Sequence, residues 1–259
     1  MIQANDSGSD KILLKKVGVI YSSGDTAITA LDGCSLSVRA NEFLCLLGPS
    51  GCGKSTILHL IAGFLEPTSG SVLINGRKIN GPGADRGVVF QQYNLFPWKR
   101  VAQNIEFGTR LQILSSEERR TIIAEYLELM ELTGFERSYP FQLSQGMQQR
   151  VGLARAYAND PEILLMDEPF ASLDAQTGLR MRELLLRIWN GKQKTIVFVT
   201  HDIDEAIQLG DRVVIMTRRP GRIRKEVLID LPRPRPKDFF LDSKYAQLRA
   251  TMRSVLLDE

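Results

Sequence analysis

Histidine, cysteine and long apolar runs are scarce in this sequence, and each scarcity removes a class of function. There are 2 histidines and 3 cysteines in 259 residues. The cysteines, Cys34, Cys45 and Cys52, show no metal-ligand spacing, and an odd count does not build a disulfide framework, so a reducing compartment is expected. No apolar stretch nears the ~20 residues needed to span a bilayer. Residues 1–10 are polar where a signal peptide would need an apolar core. If the protein works at a membrane, other chains must hold it there. Charge is close to balance as well: 33 Lys+Arg against 30 Asp+Glu leave a net +3, which does not indicate a nucleic-acid-coating role. No internal repeat is found.

What the chain does have is a hydrophobic content of 43%, enough for one large α/β domain or a domain with an insertion. Its organising stretch is Gly48-Pro49-Ser50-Gly51-Cys52-Gly53-Lys54-Ser55-Thr56, which matches G-x-x-x-x-G-K-[ST]. The apolar run 42–47 before it reads as a buried strand, and 57–63 after it as a helix stopped by glycine. Gly48, Gly51 and Gly53 allow a tight turn and close approach to a phosphate without Cβ clashes. The freed N–H groups then face inward at the positive end of a helix dipole. Lys54 adds a point charge for the β- and γ-phosphates, and Ser55 a hydroxyl for Mg²⁺. By itself the loop says nucleoside triphosphate; it does not separate kinase, GTPase and transport ATPase.

Strand composition recurs at 11–21, 31–38, 71–75 and 86–90, with a turn at 22–25 and loop punctuation at 81–83. From 91 to 159 strand signals nearly vanish. Ser115 and Glu118 have the spacing of a capping box, and Ile122, Ile123, Tyr126, Leu127, Leu129 and Met130 follow at near-helical intervals. This stretch is expected to be a helical insertion in an α/β core. The core resumes with a strand at 163–167, a helix at 178–190 and strands at 195–200 and 212–216. Near-continuous apolar strands alternating with helices imply a mainly parallel sheet covered on both faces. Residues 218–236 are basic and proline-rich, and 245–257 look helical.

A second set of residues belongs with the loop. Asp167 ends an apolar strand and Glu168 follows it, at the sheet edge where ligands bind. Asp167 can hold Mg²⁺ directly or through water, and Glu168 can orient or polarise an attacking water. His201 also follows a strand, where it can meet a γ-phosphate; His59, within a helix, reads as structural. Ser144 and Gly146 precede a helical run, 148–158, and make a second anion site from a hydroxyl, backbone N–H groups and a dipole. A second anion site beside a filled phosphate loop suggests a nucleotide presented by another subunit.

In order and over nearly its whole length, the chain resembles an ATP-binding-cassette (ABC) nucleotide-binding subunit. Residues 48–56 match the Walker A motif, Gln91 the Q-loop, 143–147 the signature, 163–168 the Walker B with its catalytic glutamate, 172–174 the D-loop, and His201 the switch histidine. Tyr21 resembles the aromatic that stacks on adenine. The resemblance implies a P-loop NTPase (RecA-like) α/β fold: a mainly parallel sheet core, an antiparallel β subdomain and an inserted α-helical subdomain. It implies one nucleotide-binding domain at 11–259, with a flexible leader at 1–10, a helical subdomain at 91–159 and a short C-terminal extension at 222–259. The implied cofactors are ATP and Mg²⁺. Glu168, His201 and Gln91 would be catalytic; Ser55, Gln91 and Asp167 would serve the metal; Tyr21, residues 48–56, Ser144, Gly146 and Asp174 would bind nucleotide.

The resemblance further implies a head-to-tail pair of cassettes sandwiching two ATP molecules. Its partners would be a second cassette, two transmembrane permease subunits and a secreted substrate-binding protein, at the cytoplasmic face of the inner membrane. Residues 81–91, Leu95-Phe96-Pro97-Trp98, 167–170 and 201–206 are similar to the importer subgroup for taurine, aliphatic sulfonates, nitrate and bicarbonate; thiamine-precursor import is a further alternative. For Leu95 to Trp98, core packing and docking stay open. The signature is usually Leu-Ser-Gly-Gly-Gln; here Gln145 replaces the first glycine and Met147 the glutamine. If position 145 needs φ > 0, Gln145 costs on the order of 1 kcal/mol, and a cassette that binds ATP but barely hydrolyses it becomes an alternative. A soluble, non-transport ABC ATPase is the alternative of another class, though such proteins usually pair two cassettes or carry a long coiled coil. A small-molecule P-loop kinase would lack the signature helix and D-loop.

Overall fold

The computed structural model describes residues 10–23, 26–110, 112–233, 235 and 239–257. Residues 1–9 of the expected leader, and Gly24 and Asp25 of the expected turn, lie outside them. Asp10 already belongs to the first strand. The chain divides into two compact units, Met1–Gly83 with Lys194–Glu259, and Ala84–Gln193.

The first unit begins with β1 (Asp10–Ser23), β2 (Thr26–Arg39), β3 (Phe43–Leu47), α1 (Lys54–Ala62), β4 (Ser69–Ile74) and β5 (Arg77–Lys78). The second unit supplies β6 (Arg86–Val89), α2 (Val101–Thr109), α3 (Ser116–Leu129), α4 (Gln145–Ala158), β7 (Ile163–Asp167) and α5 (Ala175–Gly191). The first unit resumes with β8 (Thr195–Thr200), α6 (Ile203–Leu209), β9 (Arg212–Met216), β10 (Ile223–Leu228) and α7 (Ser243–Leu257).

Two sheets build the first unit. β2, β1, β4 and β5 lie in that order, antiparallel throughout. In the other, β3 pairs in parallel with both β8 and β9, and β10 closes the edge antiparallel to β9. Every residue of β3 and β8 is buried, as expected of strands covered on both faces. Each buried Leu or Phe there contributes roughly 1.5–3 kcal/mol relative to exposure. β2 instead alternates along its second half, one face in and one out.

The second unit has no strand between 91 and 159 among its described residues; α2, α3 and α4 fill that stretch. Its strands β6 and β7 pair in parallel. The Ser115–Glu118 capping box forms: Ser115 N–H donates to Glu118 Oε2 (2.7 Å) and Glu118 N–H to Ser115 Oγ (3.2 Å).

Five differences from the sequence reading have physical causes. β2 starts at Thr26 and not at 31, because hairpin pairing with β1 carries its exposed first residues. α4 starts at Gln145, three residues early, because Ser144 caps it; α5 starts at Ala175 because Asp174 caps it. β10 lies inside the basic, proline-rich section. It buries Val227 while Arg224, Lys225 and Glu226 face out, a charged edge strand whose composition hides it. α6 is a short helix opened by Asp202, whose carboxylate accepts from Asp204 and Glu205 N–H. No helix of the described residues is long and apolar enough to cross a membrane.

Candidate functional site

In the first unit, residues 48–53 turn between β3 and α1. Gly53, at φ 99°, caps α1 without any side-chain hydrogen bond to the helix's first N–H groups. A Cβ there would meet Leu31 Cδ2 at 2.6 Å, so both conformation and space demand glycine. Lys54 is 5% exposed, and its ammonium donates to the carbonyls of Gly48 (2.8 Å) and Pro49 (3.0 Å). A buried charge is costly unless it is paired or hydrogen-bonded. These contacts hold the cation in the curl of the loop.

Three further groups stand around this turn. Tyr21 is half exposed, and its hydroxyl lies 3.4 Å from Thr56 Oγ1, which sets the ring beside the first turn of α1. Leu47 and Thr200 are direct partners across β3 and β8, so Gly48 and His201 leave neighbouring strands at one sheet edge. His59 sits elsewhere on α1 with its ring against Phe64. The third group was not legible in the sequence. The turn after β9 runs under the loop: Gly221 N–H donates to Ala30 O (2.9 Å) and Asp32 N–H to Gly221 O (3.1 Å). A Cβ on Gly221 would lie 2.0 Å from the Cys52 carbonyl, and one on Gly51 would meet Arg219 Nη2 at 3.7 Å.

The remaining candidates lie in the second unit. Val89 and Met166 are register partners, so the Gln91 segment and the Asp167–Glu168 pair leave β6 and β7 at one edge. Gln91 is exposed; Asp167 and Glu168 are half-buried. Glu168 adopts φ 43°, a left-handed conformation costly for a non-glycine residue and one that clusters at functional sites. Ser144 Oγ accepts from Met147 N–H (3.3 Å), which leaves the hydroxyl proton to donate. A Cβ on Gly146 would lie 2.9 Å from Thr177 Cγ2, so the first turns of α4 and α5 touch and bring Ser144, Gly146 and Asp174 together. Hydrogen bonds from Thr177 and the Gln176 N–H hold the Asp174 carboxyl below the usual aspartate range.

Two ties around the Gln91 segment also escaped the sequence reading. Arg155 of α4 donates to the carbonyls of Tyr93 (3.0 Å) and Asn94 (2.8 Å) and lies over the Phe96 ring. Tyr93 OH bonds Ser172 Oγ at 2.9 Å. Gln145 is the first residue of α4 and is absent from the positive-φ residues. The conformational cost reserved for it does not arise.

A family model described as ABC transporter matches residues 31–171, more than half of the chain. The chain belongs to the ABC transporter family. As a member it is an ATP-binding cassette, an ATPase with a P-loop NTPase fold. It is 48% identical over 258 residues to an uncharacterised ABC transporter ATP-binding protein of Methanocaldococcus jannaschii, covering 100% of this chain and 96% of that one. A taurine import ATP-binding protein of Pelagibacter ubique is 48% identical over 217 residues, 83% of this chain and 82% of the relative. A nitrate import ATP-binding protein of Synechocystis is 48% identical over 206 residues, 80% and 77% of the two chains. Among solved structures, a dimeric ATP-binding cassette in a post-hydrolysis state with ADP and Pi superposes with a TM-score of 0.75 at 37% identity, covering 85% of this cassette and 100% of that chain.

Proposed function

We propose that this cassette drives an importer for taurine or related aliphatic sulfonates, working as one of a head-to-tail pair beneath two permease subunits and a secreted substrate-binding protein. What carries the reading is the 48% identity to a taurine import ATP-binding protein over 83% of this chain. Equal identity to a nitrate import ATP-binding protein favours nitrate as the second reading. Trp98 is 71% exposed and Phe107 43%, against a half-buried Phe96, which supports a docking role for residues 95–98 over plain core packing.

The proposed roles follow from the chemistry. Residues 48–56, through the backbone N–H groups of all but Pro49 and the Lys54 ammonium, bind the triphosphate, and Tyr21 packs on adenine. Ser55, Gln91 and Asp167 offer hard oxygen donors, one of them a carboxylate. That suits Mg²⁺, which takes one or two carboxylates plus substrate phosphates and, when bound, neutralises β- and γ-phosphate charge. Glu168 orients and polarises the attacking water, and His201 contacts the γ-phosphate. Ser144 and the Gly146 N–H complete the partner cassette's nucleotide site, and Asp174 supports that turn. Binding of ATP supplies contacts made only in the closed pair, so it shifts the population toward closure; hydrolysis removes them. We also read 11–259 as one nucleotide-binding domain, with 91–159 as its helical part and 222–259 as a short C-terminal extension, and place the whole protein at the cytoplasmic face of the inner membrane.

Glu168→Gln should abolish most hydrolysis while leaving a stable ATP-bound dimer on gel filtration; wild-type turnover in that variant would remove Glu168 from the mechanism. The cargo is tested by reconstituting the chain in proteoliposomes with permease and binding-protein subunits encoded near its gene. Taurine-loaded binding protein should stimulate ATPase activity several-fold. Stimulation by nitrate alone would establish the second reading.

A further inference from the structure

His201 is bracketed by residues that α6 holds. Thr200 Oγ1 donates to Glu205 Oε2 (2.8 Å) and accepts from Asp202 N–H (3.0 Å), and Asp202 caps the helix through Asp204 N–H (2.7 Å) and Glu205 N–H (3.2 Å). The position of α6 therefore sets the position of the histidine. The C-terminal extension grips that helix at both ends. At its carboxyl end, Arg235 Nη1 donates to the carbonyls of Ile207 (2.6 Å) and Gln208 (2.8 Å), and Arg233 Nη2 donates to Leu209 O. Arg233 Nε also binds Asp211 Oδ1 (2.9 Å), whose other oxygen accepts from Phe43 N–H at the start of β3 (2.9 Å). At the amino end, Tyr245 OH and Arg249 Nε, both on α7, donate to Asp204 Oδ1 at 2.7 and 2.8 Å.

This is more than a tail needs for attachment. Arg235 is 8% exposed, and burying a guanidinium demands compensation. The unpaired last carbonyls of a helix, at the negative end of its dipole, provide it. Burial brings the Arg235 pKa down to about 10, so the group stays charged at neutral pH.

We propose that the C-terminal extension is a clamp that positions His201 for hydrolysis, with Arg233, Arg235, Tyr245 and Arg249 as positioning residues. The proposal rests on the reading of His201 as the residue that meets the γ-phosphate.

The test uses the chain with Arg235→Met or Arg235→Lys at one end of α6, and with Tyr245→Phe plus Arg249→Ala at the other, which removes both hydrogen bonds to Asp204 while keeping the buried Tyr245 ring. Single-turnover hydrolysis, ATP affinity and melting temperature are measured in wild-type and His201→Ala backgrounds. The hydrolysis rate should fall roughly tenfold, as expected when a reacting group is misplaced, while ATP affinity stays within about twofold, as for an interaction made only in the transition state. Arg235→Lys should recover part of the rate. In the His201→Ala background the same changes should cost no further rate, because groups acting through one residue are non-additive. An unchanged rate in the folded Tyr245/Arg249 variant overturns the clamp, as does an equal loss with and without His201. If the wild-type chain hydrolyses ATP and His201→Ala is as fast, it is the role of His201 that fails.

Discussion

At the scale of single residues, the phosphate loop is shaped by what lies beneath it as much as by its own motif. Gly221 is 169 residues from Cys52 in number, yet its missing side chain is what lets Ala30, Cys52 and the β9–β10 turn close on one another. Gly221→Ala should therefore destabilise the chain by roughly 1–3 kcal/mol, the usual range for overpacking, and weaken ATP binding by displacing the loop. Gly191, in the last turn of α5, is the contrast: a Cβ there meets nothing within 4 Å and φ is not positive. Gly191→Ala should stabilise by about 0.4–1 kcal/mol with ATP affinity unchanged. Thermal melts and nucleotide titration on both variants check the pair; a harmless Gly221→Ala would mean that the turn does not support the loop.

At the scale of elements, α3 and α4 begin in the same way, with a serine hydroxyl accepting the N–H three residues on, at 3.2 and 3.3 Å. Removing either cap costs about 1 kcal/mol on general grounds. Ser115→Ala and Ser144→Ala should thus lower stability alike, and Ser144→Ala alone should lower ATPase activity. Equal activity losses would reduce Ser144 to a helix cap. The α3 cap also has a pH signature. Hydrogen bonds from Ser115 hold the Glu118 carboxyl below the usual glutamate range. A lowered folded pKa gives stability that is present above the ordinary glutamate pKa and lost as pH falls through the lowered one, so the melting temperature of Glu118→Ala, which removes the titrating partner of the Ser115 N–H, should converge on wild type in acid. Elements like these were legible because caps and apolar runs are local. β10 and α6 were not, because an edge strand dressed in charge and a helix of seven residues leave little periodicity. The candidate site divides the same way. Its phosphate-loop glycines, Lys54 and Glu168 stand at fixed spacing in continuous motifs. Arg155, Arg235 and Gly221 act on residues far along the chain, and no local pattern marks such contacts.

At the scale of the whole molecule, the proposed cycle needs two chains, since each supplies one phosphate loop and one serine-capped helix. This can be made quantitative with two inactive variants. Lys54→Ala removes the cation from the loop, and Ser144→Arg blocks the helix tip; each homodimer then has two defective sites. In a head-to-tail heterodimer of the two, symmetry places both defects in one site and leaves the other wild type. An equimolar mixture forms heterodimers in half of its dimers, each with one intact site, so activity should return to roughly a quarter of wild type if the sites act independently. Strict coupling between sites would give less, and that shortfall measures the coupling. If each chain instead built its nucleotide site from its own serine, every chain in the mixture would remain defective and activity would stay at the level of the separate variants. The measurement is phosphate release from co-refolded or co-expressed mixtures at fixed total protein, with melting curves showing that both variants fold.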